Sequence, residues 1–357
     1  MFLSDQLLLF TRIVESDSLF FAECLAVLAG RGDLTSRQMQ GAMREIMAGH
    51  WNDSQMAAFL TELRNKGETG EEIAAAAAVL RENMIPLDVG GNQVLDTCGT
   101  GGDGAGTFNI STGAAFVAAG AGVKVVKHGN RAASGRTGSA DVLTALGVQV
   151  DQEPAWTKLC LEQTGLAFCF APRFHPAMRY VAAVRRQLGV RTIFNCLGPL
   201  ANPARAAYQL LGVGRLEWLD PLAEALCQLG TRRAILVCGQ DGLDEVSLTA
   251  PTIVRQVCDG RIASWEWTAN DFDLAPCALE ELCVEGKEES AARIVAVLRG
   301  EESAAARVVL ANAAAALMAA ERATTPLEGV ELARQAIASG KARQVLERLQ
   351  GTGLVNS

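Results

Sequence analysis

An α/β fold with a mainly parallel central sheet, preceded by a small helical domain, is the architecture this sequence predicts. Two patterns point to it. Up to about residue 85 the apolar side chains recur at helical spacing, whereas from about residue 94 short β-type runs alternate with longer helical stretches. Composition agrees, because 49% apolar residues and 35 glycines in 357 residues suit a glycine-rich protein with a well-buried core.

Helix signals organise the first stretch of the chain. Thr35 with Gln38, Asn52 with Gln55, and Thr69 with Glu72 each have capping-box spacing, and Gly49 and Gly67 stand where helices should stop. Met39, Met43, Ile46 and Met47 share one helical face, which reads as core or as a face between subunits. Pro86 to Asn92 form a turn-rich linker, so the boundary is expected near residue 88, with a helical domain over 1–88 and an α/β domain over 89–357. Candidate strands then follow at Val94–Asp96, Val123–Lys127, Leu166–Phe170, Gln209–Gly212, Ala234–Cys238 and Thr252–Cys258. Strands of this kind are buried between helices, and ligands of such sheets lie at the strands' carboxyl ends.

Several function classes fall away. A net charge of −8 argues against a nucleic-acid partner. Ten cysteines without any C-x-x-C, beside three histidines, argue against a disulfide framework or a zinc site and suit buried thiols in a reducing cytosol. The N-terminal stretch lacks a positive leader and carries Asp5, Arg12 and Glu15, so it is not read as a signal. No stretch reads as a membrane span, and the chain is expected to be cytoplasmic.

The chemistry concentrates between Asp96 and Gly147. A strand end runs into the glycine-dense loop Gly99–Gly106 and then into Asn109-Ile110-Ser111-Thr112 at a helix start. Bare glycines admit a ligand close to the backbone, and the amides of a helix start are expected to point at a phosphate. The next strand ends in Lys127-His128-Gly129-Asn130, a cationic and hydrogen-bonding clamp. Gly99–Gly104 formally matches G-x-G-x-x-G, but no acid lies between Asp103 and Asp141 to hold a dinucleotide's ribose. Seven arginines and no acid occupy residues 165–216, and Arg173, Arg179, Arg185, Arg186 and Arg191 form a group suited to a substrate carboxylate. His175, just before Pro176, is placed to cap a helix. Asp244-Glu245, after the strand Ala234–Cys238, offers hard oxygen ligands for Mg²⁺.

Taken in order, GTGGDGAGTFNIST, KHGNRAASGRTGSAD, FAPRFHPAMR, VRRQLGVRTIFNCLGPLANP and DGLDEVS resemble the anthranilate phosphoribosyltransferase family of tryptophan biosynthesis, from about residue 22 to 350. The resemblance implies a nucleoside phosphorylase-like phosphoribosyltransferase fold. Its small helical domain is hinged to the α/β domain, takes back a helical segment at about 176–205, and pairs with a second copy in a homodimer. It implies that Gly99, Gly102, Asp103, Thr107, Asn109, Ser111, Thr112, Lys127 and Ser139 hold 5-phosphoribosyl 1-diphosphate. Ser111, Asp244 and Glu245 would bind Mg²⁺, and Gly99, Asn130, His175 and Arg185 would hold anthranilate. Lys127 and His128 would serve catalysis, Lys127 on the departing diphosphate and His128 either removing a proton or orienting the acceptor. Small departures from the family pattern fall at Ala132-Ala133 and Arg136-Thr137. Two rival readings stay open, a pyrimidine-nucleoside phosphorylase and a nucleic-acid-binding relative of the same fold.

Overall fold

The computed structural model describes residues 19–91, 93–132 and 137–352. Ala133, Arg136, Asn92 and the first 18 residues lie outside the described residues, and with them the family departures at 133 and 136. Four helices open the described chain: α1 (19–29), α2 (Ser36–Ala48), α3 (Asp53–Lys66) and α4 (Gly70–Glu82). The three expected capping boxes form at Thr35, Asn52 and Thr69, so each helix starts where its orphan amides find side-chain acceptors. Gly49 closes α2 at φ 74, a left-handed position that glycine adopts without strain.

Fully buried Glu72 ties these helices together. Its carboxylate accepts the Leu34 amide at 2.9 Å and the Lys66 ammonium at 2.7 Å, as well as the Thr69 amide at 2.9 Å.

The α/β domain runs β1 (Leu95–Gly99), α5 (Ile110–Gly120), β2 (Val125–Gly129), α6 (Ser139–Ala145), α7 (Pro154–Thr164), β3 (Leu166–Phe170) and α8 (Ala171–Phe174). It continues through α9 (Arg179–Leu188), α10 (Phe194–Leu200), β4 (Tyr208–Gly212), α11 (Leu219–Gln228), β5 (Arg233–Gly239), β6 (Thr252–Cys258) and β7 (Arg261–Trp267). Four helices close it: α12 (Lys287–Leu298), α13 (Ala304–Ala319), α14 (Pro326–Ala338) and α15 (Lys341–Thr352). The strands make one sheet in the order β3-β2-β1-β4-β5-β6-β7, parallel through β5 and antiparallel at β6 and β7. Chain order reverses between β1 and β4, the switch point at which α/β sheets open a ligand crevice.

Side chains alternate across the strands. Leu210, Ile235 and Val237 enter a core with α5, α6, α7 and α12–α15, while Leu211, Ala234, Leu236 and Cys238 enter a second core with α1–α4 and α9–α11. The N-terminal helices therefore cover one face of the sheet, together with α9 and α10. Arg81 Nε donates to the Leu200 carbonyl at 2.6 Å, joining α4 to α10. The linker is pinned by Ile85 N–H to Phe174 O and by Leu87 N–H to Pro203 O.

The strands differ from the expectation in the bounds of β1, β2, β4 and β5 and in number. β1 and β2 run on to Gly99 and Gly129 because those glycines still pair with Gly212 and Phe170 in the ladders. β7 is an addition: its outer positions are exposed, so it carries little apolar signal. Its hairpin turn, Asp259-Gly260 with both φ positive at 47 and 74, is the two-residue type that favours such dipeptides. Every one of the ten cysteines is free. No helix among the described residues is long and apolar enough to cross a membrane.

Removing the Glu72 carboxylate leaves a buried amide unpaired and strips Lys66 of its buried partner. Glu72→Ala should therefore cost about 3 kcal/mol of stability in denaturant titrations, with Glu72→Gln costing less. Equal stability of Glu72→Ala and the unchanged chain would refute this account.

Candidate active site

Backbone conformation shapes the loop after β1. Gly101, Gly102, Gly104 and Gly106 all have φ near +70, between 68 and 77, where a side chain would strain the chain. The loop is stitched to the segment before α12, with Phe108 N–H on Leu282 O, Val284 N–H on Gly106 O, and Thr107 bridged to Cys283. Buried Ser290 of α12 accepts the Asn109 amide at 2.9 Å, and Asn109 in turn caps α5 by accepting from Thr112 N–H at 3.2 Å.

The loop after β5 folds directly onto this region. A Cβ on Gly212 would lie 1.6 Å from the Asp244 carbonyl oxygen, and one on Gly99 would lie 2.4 Å from Asp244 Oδ2. Only glycine at the ends of β1 and β4 admits this approach. Asp244 Oδ2 accepts Gly101 N–H at 2.9 Å, and Glu245 Oε1 accepts Ser111 N–H at 3.1 Å. Behind Glu245, fully buried Asn312 of α13 grips Val246 at both ends, accepting its amide at 2.8 Å and donating to its carbonyl at 2.9 Å.

The amides at the start of α5 thus differ from expectation. They do not point outward: Ser111 gives its amide to Glu245 and Thr112 gives its amide to Asn109. Buried N–H groups must find acceptors, and here the chain's own oxygens serve.

Burial pushes Asp244 up to about 7, helped by the nearby Asp103 charge, and burial also raises Asp103 and Glu245. These carboxylates want a counter-charge. Lys127 supplies some of it: its buried Nζ donates to the Thr97 carbonyl and to Ser111 Oγ at 3.1 Å. Among the described residues no three His, Cys, Asp or Glu side chains form a preformed metal cage. Two carboxylates beside a hydroxyl instead suit Mg²⁺, which keeps open positions for phosphate oxygens and water.

At the end of β2, His128 donates from Nδ1 to the Gly198 carbonyl of α10 at 3.0 Å. A carbonyl only accepts, so Nδ1 carries the proton and Nε2 is a bare lone pair. The His175 ring lies 5.0 Å away, centroid to centroid. His128 Nε2 and both ring nitrogens of His175 are buried without a hydrogen-bond partner. Burial lowers His128 to about 3 and His175 to about 4, so both rings are neutral at pH 7. His175 precedes a short 3-10 turn at Pro176–Met178, but its side chain caps nothing.

The arginine group is not one cluster. Arg173 pairs with Asp151 and Glu153 on the surface, Arg179 stacks on Tyr180, Arg215 pairs with Glu217, and Arg186 is exposed. Only two face the interior. Arg185 lies 5.4 Å over the Phe194 ring of α10, its pKa lowered by burial, and Arg191 lies against Gly102, where a Cβ would be 2.2 Å from Nη2. Asn130 is exposed at the end of β2, and Ser139 Oγ reaches its carbonyl at 3.5 Å.

Gly99, Gly102, Asp103, Thr107, Asn109, Ser111, Thr112, Lys127, Asp244 and Glu245 therefore converge around the ends of β1, β2 and β5 and the start of α5. His128, His175 and Arg185 lie on the neighbouring side, where β2 meets the α8–α10 segment. Sequence reasoning passed over Asp96, Asn202, Ser290, Asn312 and the special place of Arg191. An acid inside an apolar strand and an asparagine inside an alanine-rich helix were the available signals.

Comparison with known proteins covers about nine-tenths of the chain. Residues 91–343 match the a/b domain of a glycosyl transferase family, and residues 22–84 match its helical bundle domain. The anthranilate phosphoribosyltransferase of Symbiobacterium thermophilum is 51% identical over 318 residues, 89% of this chain and 93% of that one. The enzyme of the same name from Roseiflexus castenholzii is 51% identical over 326 residues, 91% and 96% of the two chains. The crystal structure of anthranilate phosphoribosyltransferase from Thermus thermophilus superposes with a TM-score of 0.86 at 44% identity, covering 92% and 98%. That of the Saccharomyces cerevisiae enzyme in complex with PRPP and Mg superposes with a TM-score of 0.84 at 28% identity, covering 93% and 97%.

The neutral histidines set a pH dependence. Their folded pKa values lie below the ordinary 6.5, so protons favour the unfolded chain. The stability is fully present above about pH 6.5 and is lost as pH falls toward 4, each ring adding a slope of about 1.4 kcal/mol per pH unit. Melting temperatures between pH 7.5 and 4.5 should therefore fall less steeply for His128→Gln/His175→Gln than for the unchanged chain. Comparing the two cancels the opposite contributions of Asp96 and Asp244, whose pKa values burial raises to about 6 and about 7. Parallel slopes would exclude neutral burial of the rings.

Proposed function

This chain belongs to the anthranilate phosphoribosyltransferase family, and from that premise we propose how its cleft performs the family's reaction. It is a glycosyltransferase that moves the 5-phosphoribosyl group of 5-phosphoribosyl 1-diphosphate onto the amine of anthranilate, releasing diphosphate, in tryptophan biosynthesis. That membership sets aside nucleoside phosphorolysis and nucleic-acid binding. The observation that carries the site assignment is the meeting of a glycine loop, a buried ammonium and a carboxylate pair at adjacent strand ends.

The ribosyl donor lies against Gly99, Gly102, Asp103, Thr107, Asn109, Ser111, Thr112 and Ser139, with its diphosphate toward Lys127. Ser111, Asp244 and Glu245 would hold Mg²⁺, which when bound shares the charge of the diphosphate oxygens. Lys127 stabilises negative charge as the anomeric bond breaks, and its dry setting strengthens that effect. Anthranilate lies between the two halves, near Gly99, Asn130 and His175, with Arg185 on its carboxylate.

His128 orients the acceptor. Its unprotonated Nε2, held by the Nδ1 bond to Gly198, can accept a hydrogen bond from the aromatic amine and so aim the attacking nitrogen. The amine is neutral at pH 7 and attacks the anomeric carbon as the bond to diphosphate breaks, and its surplus proton then leaves to the released diphosphate or to water. Much of the rate then comes from holding two substrates in line and from excluding water.

The described helices of residues 19–88 move together with residues 176–205 against the rest of the α/β domain, and the helical domain pairs with a second copy in a homodimer. The protein works in the cytoplasm.

Loss of anthranilate fluorescence in the presence of 5-phosphoribosyl 1-diphosphate and Mg²⁺, abolished by EDTA, tests the reaction. Changing Asp244 and Glu245 together to alanine should cut turnover by about 100-fold or more, whereas near-normal magnesium-dependent turnover would remove them from the metal site. Arg185→Ala should raise the KM for anthranilate by roughly 10- to 100-fold while the KM for the ribosyl donor moves little. Equal changes in both constants would make Arg185 structural.

A further inference from the structure

β1 and β2 start as ladder neighbours and then separate. Their register holds a single pair, Leu95 with Val125, whereas β1 pairs with β4, and β2 with β3, over five positions each. Continued in the parallel pattern, the ladder would join Thr97 N–H to Val126 O and His128 N–H to Thr97 O. Side chains serve three of those four backbone groups instead. Asn202 Nδ2 donates to the Val126 carbonyl at 2.8 Å, His128 N–H donates to Asp96 Oδ1 at 3.2 Å, and the Lys127 ammonium donates to the Thr97 carbonyl. Asn202 Nδ2 also donates to Asp96 Oδ2 at 2.8 Å, and Asn202 Oδ1 accepts Ala204 N–H at 2.9 Å. Asp96 is fully enclosed and Asn202 nearly so.

We propose that Asp96 and Asn202 form a polar wedge that holds the end of β2 apart from β1, and that they are thereby the positioning residues for Lys127 and His128. The inference rests on the site proposed above and adds two residues to it. Neither touches substrate. Each replaces a backbone partner that the ladder would otherwise supply, so the strand end can splay while Val126 O, His128 N–H and, through Lys127, Thr97 O keep hydrogen-bond partners. The splay gives the Lys127 ammonium room to cross to the Thr97 carbonyl and Ser111, and it turns His128 toward Gly198 and His175.

An asparagine at 96 has one acceptor where the carboxylate has two, so it must lose either His128 or Asn202. Asp96→Asn and Asn202→Leu are therefore the variants to make, with Leu346→Ala as a control. Leu346 is buried on α15, which packs at the other end of α5, where a Cβ on Gly120 would meet Ala342. The first readout needs no turnover: ¹⁵N-labelled histidine spectra report the tautomer and environment of His128, with His128→Gln identifying its signals. Both wedge variants should shift or broaden those signals and cut kcat at least tenfold. The control should lower the melting temperature while leaving the His128 signals and kcat within twofold. Unchanged His128 signals in both wedge variants, or equal effects from Leu346→Ala, would overturn the proposal. Absence of phosphoribosyl transfer in the unmodified protein would instead refute the reaction, and the spectra would still decide the wedge.

Discussion

The close approach of the Asp244 backbone to Gly212 is the constraint on which the rest of the site depends. β1 and β4 pair in register and end together at Gly99 and Gly212. With no Cβ on either, the loop after β5 lies directly across both strand ends, its carboxylates brought to the glycine loop and to α5. A methyl group at Gly212 would collide with backbone, which has no rotamer to escape into. The carboxylates, the loop and the helix start are thus fixed by one another. Asn312 and Ser290 extend this from behind, each a buried polar side chain that holds the backbone next to a site residue.

A second theme is the concentration of uncompensated charge. Asp103, Asp244 and Glu245 are pushed upward chiefly by burial, while the Lys127 ammonium is pressed downward by the same cause. Charges held this way are costly to the fold and are useful where a charged ligand will arrive. The histidine pair is the neutral counterpart. It places three buried ring nitrogens without partners beside the α10 segment, on the side assigned to the aromatic acceptor.

Much of this was legible in the sequence because glycine, capping residues and strand-end motifs act locally. The three capping boxes, two strands with their full spans, and the left-handed turns of the glycine-dense loop all follow from neighbours in the chain. What was not legible depends on distant partners. The arginines between 165 and 216 look like one field in the sequence, yet surface acids such as Asp151 and Glu217 claim several of them. Asp96 reads as a plain strand residue until the structure shows Asn202, more than a hundred residues on, at its other oxygen. β7 was hidden for a simpler reason, since an edge strand with polar outward positions lacks the apolar run that marks its buried neighbours.

Glu245 on the Ser111 amide has a consequence for discrimination among solutes. A tethered carboxylate already occupies the place that a free anion would take, so any newcomer must outcompete it. Chloride, acetate and bicarbonate, each with a single charge and no second handhold, gain too little to displace an intramolecular rival. A solute with several linked anionic groups gains at many points for one loss of translational freedom. The chain's own acid thus sets a threshold at the Ser111 amide, since an anion that took this donor would first have to displace Glu245.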